Sequence, residues 1–371
     1  PRDHPPARTP PPETRPPPEE KSPPLARRQS SRGIALLAVV AVSLSGWVNA
    51  GAKAAAPASG NPQVQIMVGG IDKVIYLPAK LTEQLGYFTA EGVDVKLLSE
   101  PSGASAENVL VSGQVQGVVG FYDHTITLQA QGKCIESVVQ LAKVPGEAEV
   151  VSNAAAAQLT SPGDFAGKKL GVTSPGSSTD YLTQYLAAKN GLKTKDYTTV
   201  KAGAGPTFIS ALTNGGIDAG MTTDPTIANI EARKLGKVIV DMRTEEGTKA
   251  ALGGLYPAAS LYMGCEYVKA NPQVVQKVVN AFVKTMKWIN THEAADIAAK
   301  MPKDYAGPDM ALYVKSIKDS SPMFTADGVM PTGGPQTVLD VLGTFSDIVK
   351  SKKGSIDLAK TYTTEFATKA K

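Results

Sequence analysis

The sequence predicts an α/β protein built as two lobes, each a parallel sheet covered by helices. The first observation is a strand–helix alternation in which short apolar runs precede helical patterns, several of which end at a glycine. The second is that this alternation occurs twice, over residues 64–142 and 169–241, before a tail of long helical patterns. Strands that alternate with helices are typical of parallel sheets with helices on their faces.

Each series holds four predicted strands. The eight strands fall at 64–68, 93–98, 117–121, 135–142, 169–173, 198–201, 216–221 and 237–241. Helices are predicted at 79–85, 107–112, 126–131, 179–190, 206–213 and 226–235. One more strand is predicted over 256–262, and the tail helices over 274–291, 293–300, 308–320 and 334–350.

The two lobes are expected to be discontinuous in sequence. We assign residues 62–150 and 256–371 to the first lobe and residues 151–255 to the second. The segments 143–159 and 244–256 follow the last strand of each series, so they are predicted to be the crossings between the lobes.

Composition and charge exclude some classes of protein. The 371 residues are 42% hydrophobic and 19% charged, which is typical of a globular chain. Residues 1–50 hold seven Lys or Arg and four Asp or Glu, which leaves 31 basic against 30 acidic residues in the remainder. A nearly neutral body without a basic stripe argues against a nucleic-acid partner, because phosphate binding needs clustered cations.

The first fifty residues read as a leader that is not part of the fold. Residues 1–24 are proline-rich, and Arg27, Arg28 and Arg32 precede the uncharged run 34–44. With the V-N-A that ends at Ala50, this order is that of a secretory signal. We expect an exported, periplasmic protein that is not a lipoprotein, because no cysteine follows the apolar run. A membrane anchor and a twin-arginine signal remain alternatives.

The sequence offers little for catalysis. Only two histidines, His124 and His292, follow residue 50, and no G-x-S-x-G, H-E-x-x-H or C-x-x-C motif is present. We therefore expect no enzyme activity, no cofactor and no metal site. The two cysteines, Cys134 and Cys265, are far apart in sequence, and their spacing leaves open a disulfide or two buried thiols.

Three segments carry a resemblance to a known family. They read Y-L-P-A-K-L-T-E-Q-L-G-Y-F-T-A-E-G at 76–92, D-F-A-G-K-K-L-G-V-T-S-P-G-S-S at 164–178, and G-A-G-P-T-F-I-S-A-L-T-N-G-G-I-D-A-G-M-T-T-D at 203–224. Over about residues 62–370 the chain resembles the substrate-binding proteins of ABC importers of the nitrate/sulfonate/taurine (NitT/TauT) group, with an NMT1/THI5-like domain.

The resemblance implies a type II periplasmic-binding-protein fold, in which two α/β lobes joined by a hinge of two crossings close on a ligand. It places the strand after the return crossing antiparallel to its neighbours, which would bring Cys134 and Cys265 together as a disulfide. It also implies a monomer that delivers a small molecule to an ABC permease in the inner membrane. A pyrimidine synthase of the same family and a periplasmic sensor are the alternatives.

Ligands of open α/β sheets bind beyond the carboxyl ends of the strands. The loops expected there supply the candidate ligand-binding residues Asp72, Tyr76, Gly103, Ser105, Tyr122, Asp123, His124, Thr125, Ser174, Gly176, Ser177, Ser178, Thr179, Gly205, Thr223 and Asp224. The turn at 173–180 precedes a helix whose first amides and hydroxyls could bind an oxyanion. A plain helix cap is the alternative for this turn, and also for Asp123 and Asp224.

The ligand class follows from the charges of these loops. They contain one lysine, Lys73, and no arginine, although arginine is the usual clamp for a carboxylate. We expect a small polar or anionic ligand held by neutral donors, with a sulfonate or taurine-like compound favoured. A thiamine-pyrimidine precursor or another heterocycle is the alternative, because Asp123 and Asp224 could accept hydrogen bonds from an amine.

Overall fold

The computed structural model describes residues 60–370. The predicted leader and signal, residues 1–50, lie outside the described residues. Within the described range, no helix combines the length and the apolar character that crossing a membrane requires.

Ten strands of the described residues form two five-stranded sheets. In chain order they are β1 (Gln63–Val68), β2 (Asp94–Ser99), β3 (Gly117–Phe121), β4 (Ile135–Gln140), β5 (Glu147–Ser152), β6 (Lys169–Val172), β7 (Thr198–Lys201), β8 (Ala219–Thr223), β9 (Gly236–Asp241) and β10 (Ala259–Gly264). The first sheet has the order β2-β1-β3-β10-β4 and the second the order β7-β6-β8-β5-β9.

Fifteen α-helices of the same range cover the sheets. They are α1 (Leu77–Gln84), α2 (Tyr87–Ala90), α3 (Gly103–Val111), α4 (Asp123–Ala130), α5 (Ser178–Lys189), α6 (Pro206–Thr213), α7 (Thr226–Ala232), α8 (Glu245–Leu252), α9 (Cys265–Ala270), α10 (Pro272–Ile289), α11 (Ala294–Lys300), α12 (Met310–Ser320), α13 (Gly334–Phe345), α14 (Asp347–Lys352) and α15 (Glu365–Lys369).

The first sheet has the topology that the resemblance implies. Strand β10 lies between β3 and β4 and runs antiparallel to both. Its last residue, Gly264, pairs with Ile135, so the residues just outside this pair face each other. The Cys265 amide donates to the Cys134 carbonyl at 3.1 Å, and the two cysteines form a disulfide.

The second sheet shortens the first predicted crossing and leaves the second in place. The segment 143–159 holds strand β5, which runs antiparallel between β8 and β9, and the segment 244–256 holds helix α8. The sequence pattern predicted neither element. Strand β5 reads E-A-E-V-V-S, which includes two acidic residues, although the strand is buried along its whole length. The chain therefore crosses between β4 and β5 and returns between β9 and β10.

The core is packed where apolar positions follow the helical period. In α10 the buried residues include Val275, Val278, Phe282 and Met286, which recur every three or four residues and face the first sheet. The Phe282 ring meets Phe88 edge to face at 5.5 Å between centroids. This stripe is the reason that α10 was predicted correctly within two residues at each end.

The tail helices contact both sheets' helices. The predicted helix 334–350 is two helices, because Ser346 interrupts it and its hydroxyl accepts from the Val349 amide to begin α14. Helix α13 packs on α4 and also on α5, where the rings of Tyr181 and Phe345 lie 5.8 Å apart. Helix α12 packs on α7 in the same way.

Candidate functional site

A narrow cavity lies between the two sheets, at the carboxyl ends of their parallel strands. Its free volume is about 10 Å³, the room that a single water molecule needs. The lining side chains come from both sheets and are Lys73, Ile75, Tyr76, Gly103, Glu147, Thr173, Ser177, Ser178, Thr179 and Thr223. Six of them, Tyr76, Gly103, Ser177, Ser178, Thr179 and Thr223, are candidates from the sequence.

The turn before α5 is tied together by its own hydroxyls. The Ser177 hydroxyl donates to the Ser174 carbonyl at 2.6 Å and lies 2.8 Å from the Thr179 hydroxyl, which accepts from the Thr173 amide. Ser177 is the N-cap residue, yet its side chain makes no capping bond to the helix. The Asp180 carboxylate, in the first turn of α5, instead accepts from the Gly176 amide at 2.8 Å.

The Asp123 carboxylate links helix α4, on the first sheet, to helix α5, on the second. Both of its carboxylate oxygens are hydrogen-bonded: Ser178 of α5 donates to one at 3.1 Å and the Tyr256 hydroxyl to the other at 2.8 Å. Asp123 is fully buried, and burial raises the pKa of its carboxyl group. It is the first residue of α4 and not part of a loop, and it touches the cavity through Ser178.

His124 lies directly beneath the cavity wall. A Cβ on Gly103 would come within 2.8 Å of the His124 ring, so only glycine fits at the start of α3. The ring atom Nδ1 lies 3.1 Å from the Tyr262 hydroxyl and 3.5 Å from a Glu107 oxygen, and the side chain is fully buried. Gly103 therefore separates the His124 ring from the cavity.

Lys73 is the one cationic side chain among the described residues that line the cavity. Its ammonium group donates to the carbonyls of Gly69 at 2.7 Å and Pro101 at 3.2 Å. Burial lowers the pKa of Lys73 to about 8, against the opposing effect of Asp72 and Glu147. The lysine thus ties the loop after β1 to the loop after β2.

Glu147 is a site residue that the sequence did not reveal. It is 2% exposed and lines the cavity, and its oxygen Oε2 has no hydrogen-bond partner among residues 60–370. Burial, then the nearby Asp123, raises the pKa of its carboxyl group well above the usual range. Its position follows from topology: β5 is antiparallel, so its first residue pairs with Thr223, the last residue of β8.

Asp224 holds the sheets together at a second point. Its carbonyl accepts from the Val74 amide at 3.0 Å, and its carboxylate accepts from Ser320 at 2.8 Å and pairs with Arg243 at 3.3 Å. Asp224 was predicted to cap a helix with Pro225 as its first residue. The helix begins one residue later than predicted, at Thr226, and the Asp224 carboxylate accepts from the Ala228 amide in its first turn at 2.9 Å, so the predicted capping bond is present.

A wider groove of about 430 Å³ shares one lining residue, Lys73, with the cavity. Asp72 and Gly205 line this groove and not the cavity. Tyr305 and Leu312, from the tail of the chain, also line the groove. Eight candidates line neither space: Ser105, Tyr122, Asp123, His124, Thr125, Ser174, Gly176 and Asp224.

The hydrogen bonds of two of these candidates explain why they do not line the cavity. The Tyr122 hydroxyl is hydrogen-bonded to Thr361, and the ring is fully buried in the hydrophobic core. The Thr125 hydroxyl donates back to the Tyr122 carbonyl at 2.8 Å within the first turn of α4. The sequence placed both residues in a loop at 122–125, whereas α4 already begins at Asp123.

The order of the sheets, with one antiparallel strand inserted in each, is that of a type II periplasmic-binding-protein fold. A solved protein of Bordetella bronchiseptica RB50 shares it with a TM-score of 0.78 and 36% identity, over 82% of this chain and 96% of that one. The periplasmic nitrate-binding protein NrtA of Synechocystis PCC 6803 shares it with a TM-score of 0.63 and 13% identity, over 82% of this chain and 87% of that one.

The NMT1/THI5 like family profile matches residues 76–295, and the chain belongs to this family. Over 222 residues it is 25% identical to the 4-amino-5-hydroxymethyl-2-methylpyrimidine phosphate synthase THI13 of Saccharomyces cerevisiae. That match spans 58% of this chain and 63% of the yeast protein, less than two thirds of its length.

Proposed function

We propose that the chain is the extracytoplasmic solute-binding component of an ABC importer. It captures a small polar ligand between its two sheets and delivers it, as a monomer, to a permease in the inner membrane. The observation that carries the proposal is the cavity itself: side chains of both sheets line it, and the Ser178–Asp123 hydrogen bond closes it. A site shared between two sheets binds most tightly when the sheets come together.

The cavity also implies that the protein opens. About 10 Å³ admits a water molecule and no larger solute, so binding requires the two sheets to separate. We propose that each sheet with its helices is a lobe and that the two lobes close on the ligand. The lobe boundary predicted after residue 150 cuts through β5, which pairs with β8 and β9 and therefore belongs to the second lobe. Closure then selects the form that docks on the permease.

The competing function is a pyrimidine synthase, which the yeast relative's name suggests. Two features favour the carrier. Both cysteines are bonded to each other, so neither offers a thiol. Among residues 60–370, no three His, Cys, Asp or Glu side chains are grouped so that they could hold a metal ion.

Thermal-shift measurements with nitrate, methanesulfonate, taurine, small carboxylates and aminopyrimidines test the proposal, because a ligand that binds only the folded protein raises its melting temperature. We expect one class to raise it and small-angle scattering to show compaction with that compound. Turnover of a bound compound, or binding without compaction, would contradict a carrier role.

A further inference from the structure

Glu147 lines the cavity between the sheets, and no protein group there bonds to its inner carboxyl oxygen. The side chain is 2% exposed, and Oε2 has no hydrogen-bond partner among residues 60–370. A carboxylate that is buried without a donor is costly, because it loses its hydration and gains no hydrogen bond in return. A neutral carboxylic acid has a much smaller desolvation cost, so Glu147 is expected to hold its proton at neutral pH.

The titratable groups around Glu147 agree with this protonation state. The groups whose charges act on it, or on which its charge acts, are Lys73, Tyr76, Asp123, Glu149 and Tyr256. Burial raises the pKa of the Glu147 carboxyl group most, Asp123 adds to the rise, and Lys73 opposes it. The ammonium group of Lys73 donates to two backbone carbonyls, so it is shared with acceptors other than Glu147.

The other polar groups at the cavity wall include hydrogen-bond donors that are not yet used. The Ser178 and Thr179 amides, at the start of α5, have no hydrogen-bond partner among residues 60–370. Lys73 uses two of its three N–H groups on carbonyls, which leaves one. Helix-start amides and an ammonium group attract negatively charged oxygen atoms. An ionised Glu147 would repel such an atom, whereas a protonated Glu147 can donate to it.

We propose that Glu147 binds the ligand as a neutral carboxylic acid and donates its O–H group to an oxygen atom of the ligand. This inference rests on the proposed solute-binding function and names the residue that selects the ligand in the same cavity. The ligand then has to present an acceptor oxygen to Glu147, as a sulfonate, nitrate or carboxylate group does. A group with donors only, such as an ammonium group, would leave the Glu147 proton without an acceptor.

Infrared difference spectroscopy of the full chain tests the protonation state, because a protonated carboxyl group has a carbonyl band that a carboxylate lacks. At pH 7 this band should be present in the unaltered protein and weaker in Glu147→Gln. Methanesulfonate and nitrate are the probes. When either of them binds, the part of the band that Glu147→Gln removes should shift, since the donated hydrogen bond changes the carboxyl group.

Two substitutions of Glu147 measure what the donor contributes to affinity. Glutamine keeps an N–H donor at this position, whereas leucine has a similar size and no donor. In calorimetry we expect Glu147→Gln to bind methanesulfonate or nitrate within about threefold of the unaltered protein. Glu147→Leu should bind the same probe about tenfold more weakly or worse, because a hydrogen bond to a charged group is lost. Methylammonium, which has no acceptor, should bind more weakly than either anion.

Glu149→Gln and Glu149→Leu are the matched controls. Glu149 lies two residues along β5 on the same face, is fully buried and does not line the cavity. Glu149→Gln should also weaken the carboxyl band, but the part that it removes should not shift with either anion. Both variants should keep the affinity within about twofold. Circular dichroism and the melting temperature show that each variant is folded.

Four results would overturn the inference. They are a carboxyl band that Glu147→Gln leaves unchanged, a band that does not shift when an anion is bound, equal losses of affinity in Glu147→Gln and Glu147→Leu, and binding of neither anion at millimolar concentration. An anion that binds and compacts the protein without shifting the band would refute the role of Glu147 while leaving the solute-binding function in place. An anion that shifts the band without compaction would do the reverse.

Discussion

The Ser178 hydroxyl donates a 3.1 Å hydrogen bond to the Asp123 carboxylate, from the first residue of α5 to the first residue of α4. The two helices belong to different sheets, and each begins just after a strand of its own sheet. A hydrogen bond between these two helix starts therefore stabilises the closed arrangement, and has little to do with the stability of either sheet alone.

Ser178→Ala should weaken about fivefold the binding of the compound that raises the melting temperature, because a net hydrogen bond is worth about 1 kcal/mol. The melting temperature without ligand should change little. Calorimetry and thermal unfolding of the same preparation measure both quantities.

Ser177→Ala is the control for that variant. The Ser177 hydroxyl bonds only within its own turn, to Ser174 and Thr179. Its loss should lower stability more than affinity. If both variants lost affinity equally, the Ser178–Asp123 bond would have no special part in closure.

Ser320→Ala should favour the open form, since Ser320 donates to Asp224 across the sheets at 2.8 Å. We expect a larger radius of gyration in ligand-free small-angle scattering. The neighbouring Ser321, just past the end of α12, donates to the Ile317 carbonyl of that helix, so Ser321→Ala should leave the radius unchanged. Equal radii for the two variants would argue against an Asp224 closure contact.

The disulfide should contribute strongly to stability, because Cys134 and Cys265 are separated by 131 residues. Constraining so long a loop in the unfolded chain is worth about 5 kcal/mol. The double variant Cys134→Ser/Cys265→Ser should melt about 8 °C lower. Mass spectrometry after denaturation and alkylation, without reductant, should find no modified cysteine; two added groups would refute the disulfide.

Glu149 should make stability fall as pH rises. Its carboxyl group is fully buried, neither oxygen has a partner within the described range, and burial raises its pKa well above the ordinary 4.5. Above pH 4.5 the folded protein keeps a proton that the unfolded chain releases, so the free energy of unfolding falls until the raised pKa is reached.

Glu149→Gln removes the carboxyl group that binds this proton in the folded protein and releases it in the unfolded chain. Urea denaturation from pH 5 to 7 should show a flatter pH dependence in the variant, by up to about 1.4 kcal/mol per pH unit. Parallel curves for the variant and the unaltered protein would mean that Glu149 is ionised when folded.

The fold was predictable where apolar periodicity was strong. The bounds of α6, 206–213, were predicted without error, and the pairing of β10 between β3 and β4 followed from the family resemblance. Strand β5 was missed because Glu147 and Glu149 interrupt its apolar pattern with buried acids. Buried acids are exceptions to the rule that charged residues lie on the surface, so the hydrophobic pattern could not predict that this strand is buried.

The sequence predicted the location of the site better than it predicted the contacts of the side chains there. The strand-end rule indicated the turn at 173–180, and Ser177, Ser178 and Thr179 do line the cavity. The rule gave no information about side-chain direction, and Tyr122 is buried in the hydrophobic core instead of lining the cavity. Hydrogen bonds between sheets, such as Ser178 to Asp123, depend on closure, which sequence order does not encode.

The most direct test of closure on a ligand is the distance between the two sheets in solution. Lys96 on β2 and Lys237 on β9 are exposed, and both native cysteines are bonded, so Lys96→Cys and Lys237→Cys can carry spin labels selectively. Double electron–electron resonance should show a broad distribution of distances without ligand. With the compound that raises the melting temperature, this distribution should narrow to its shorter distances; an unchanged distribution with that compound bound would contradict the account.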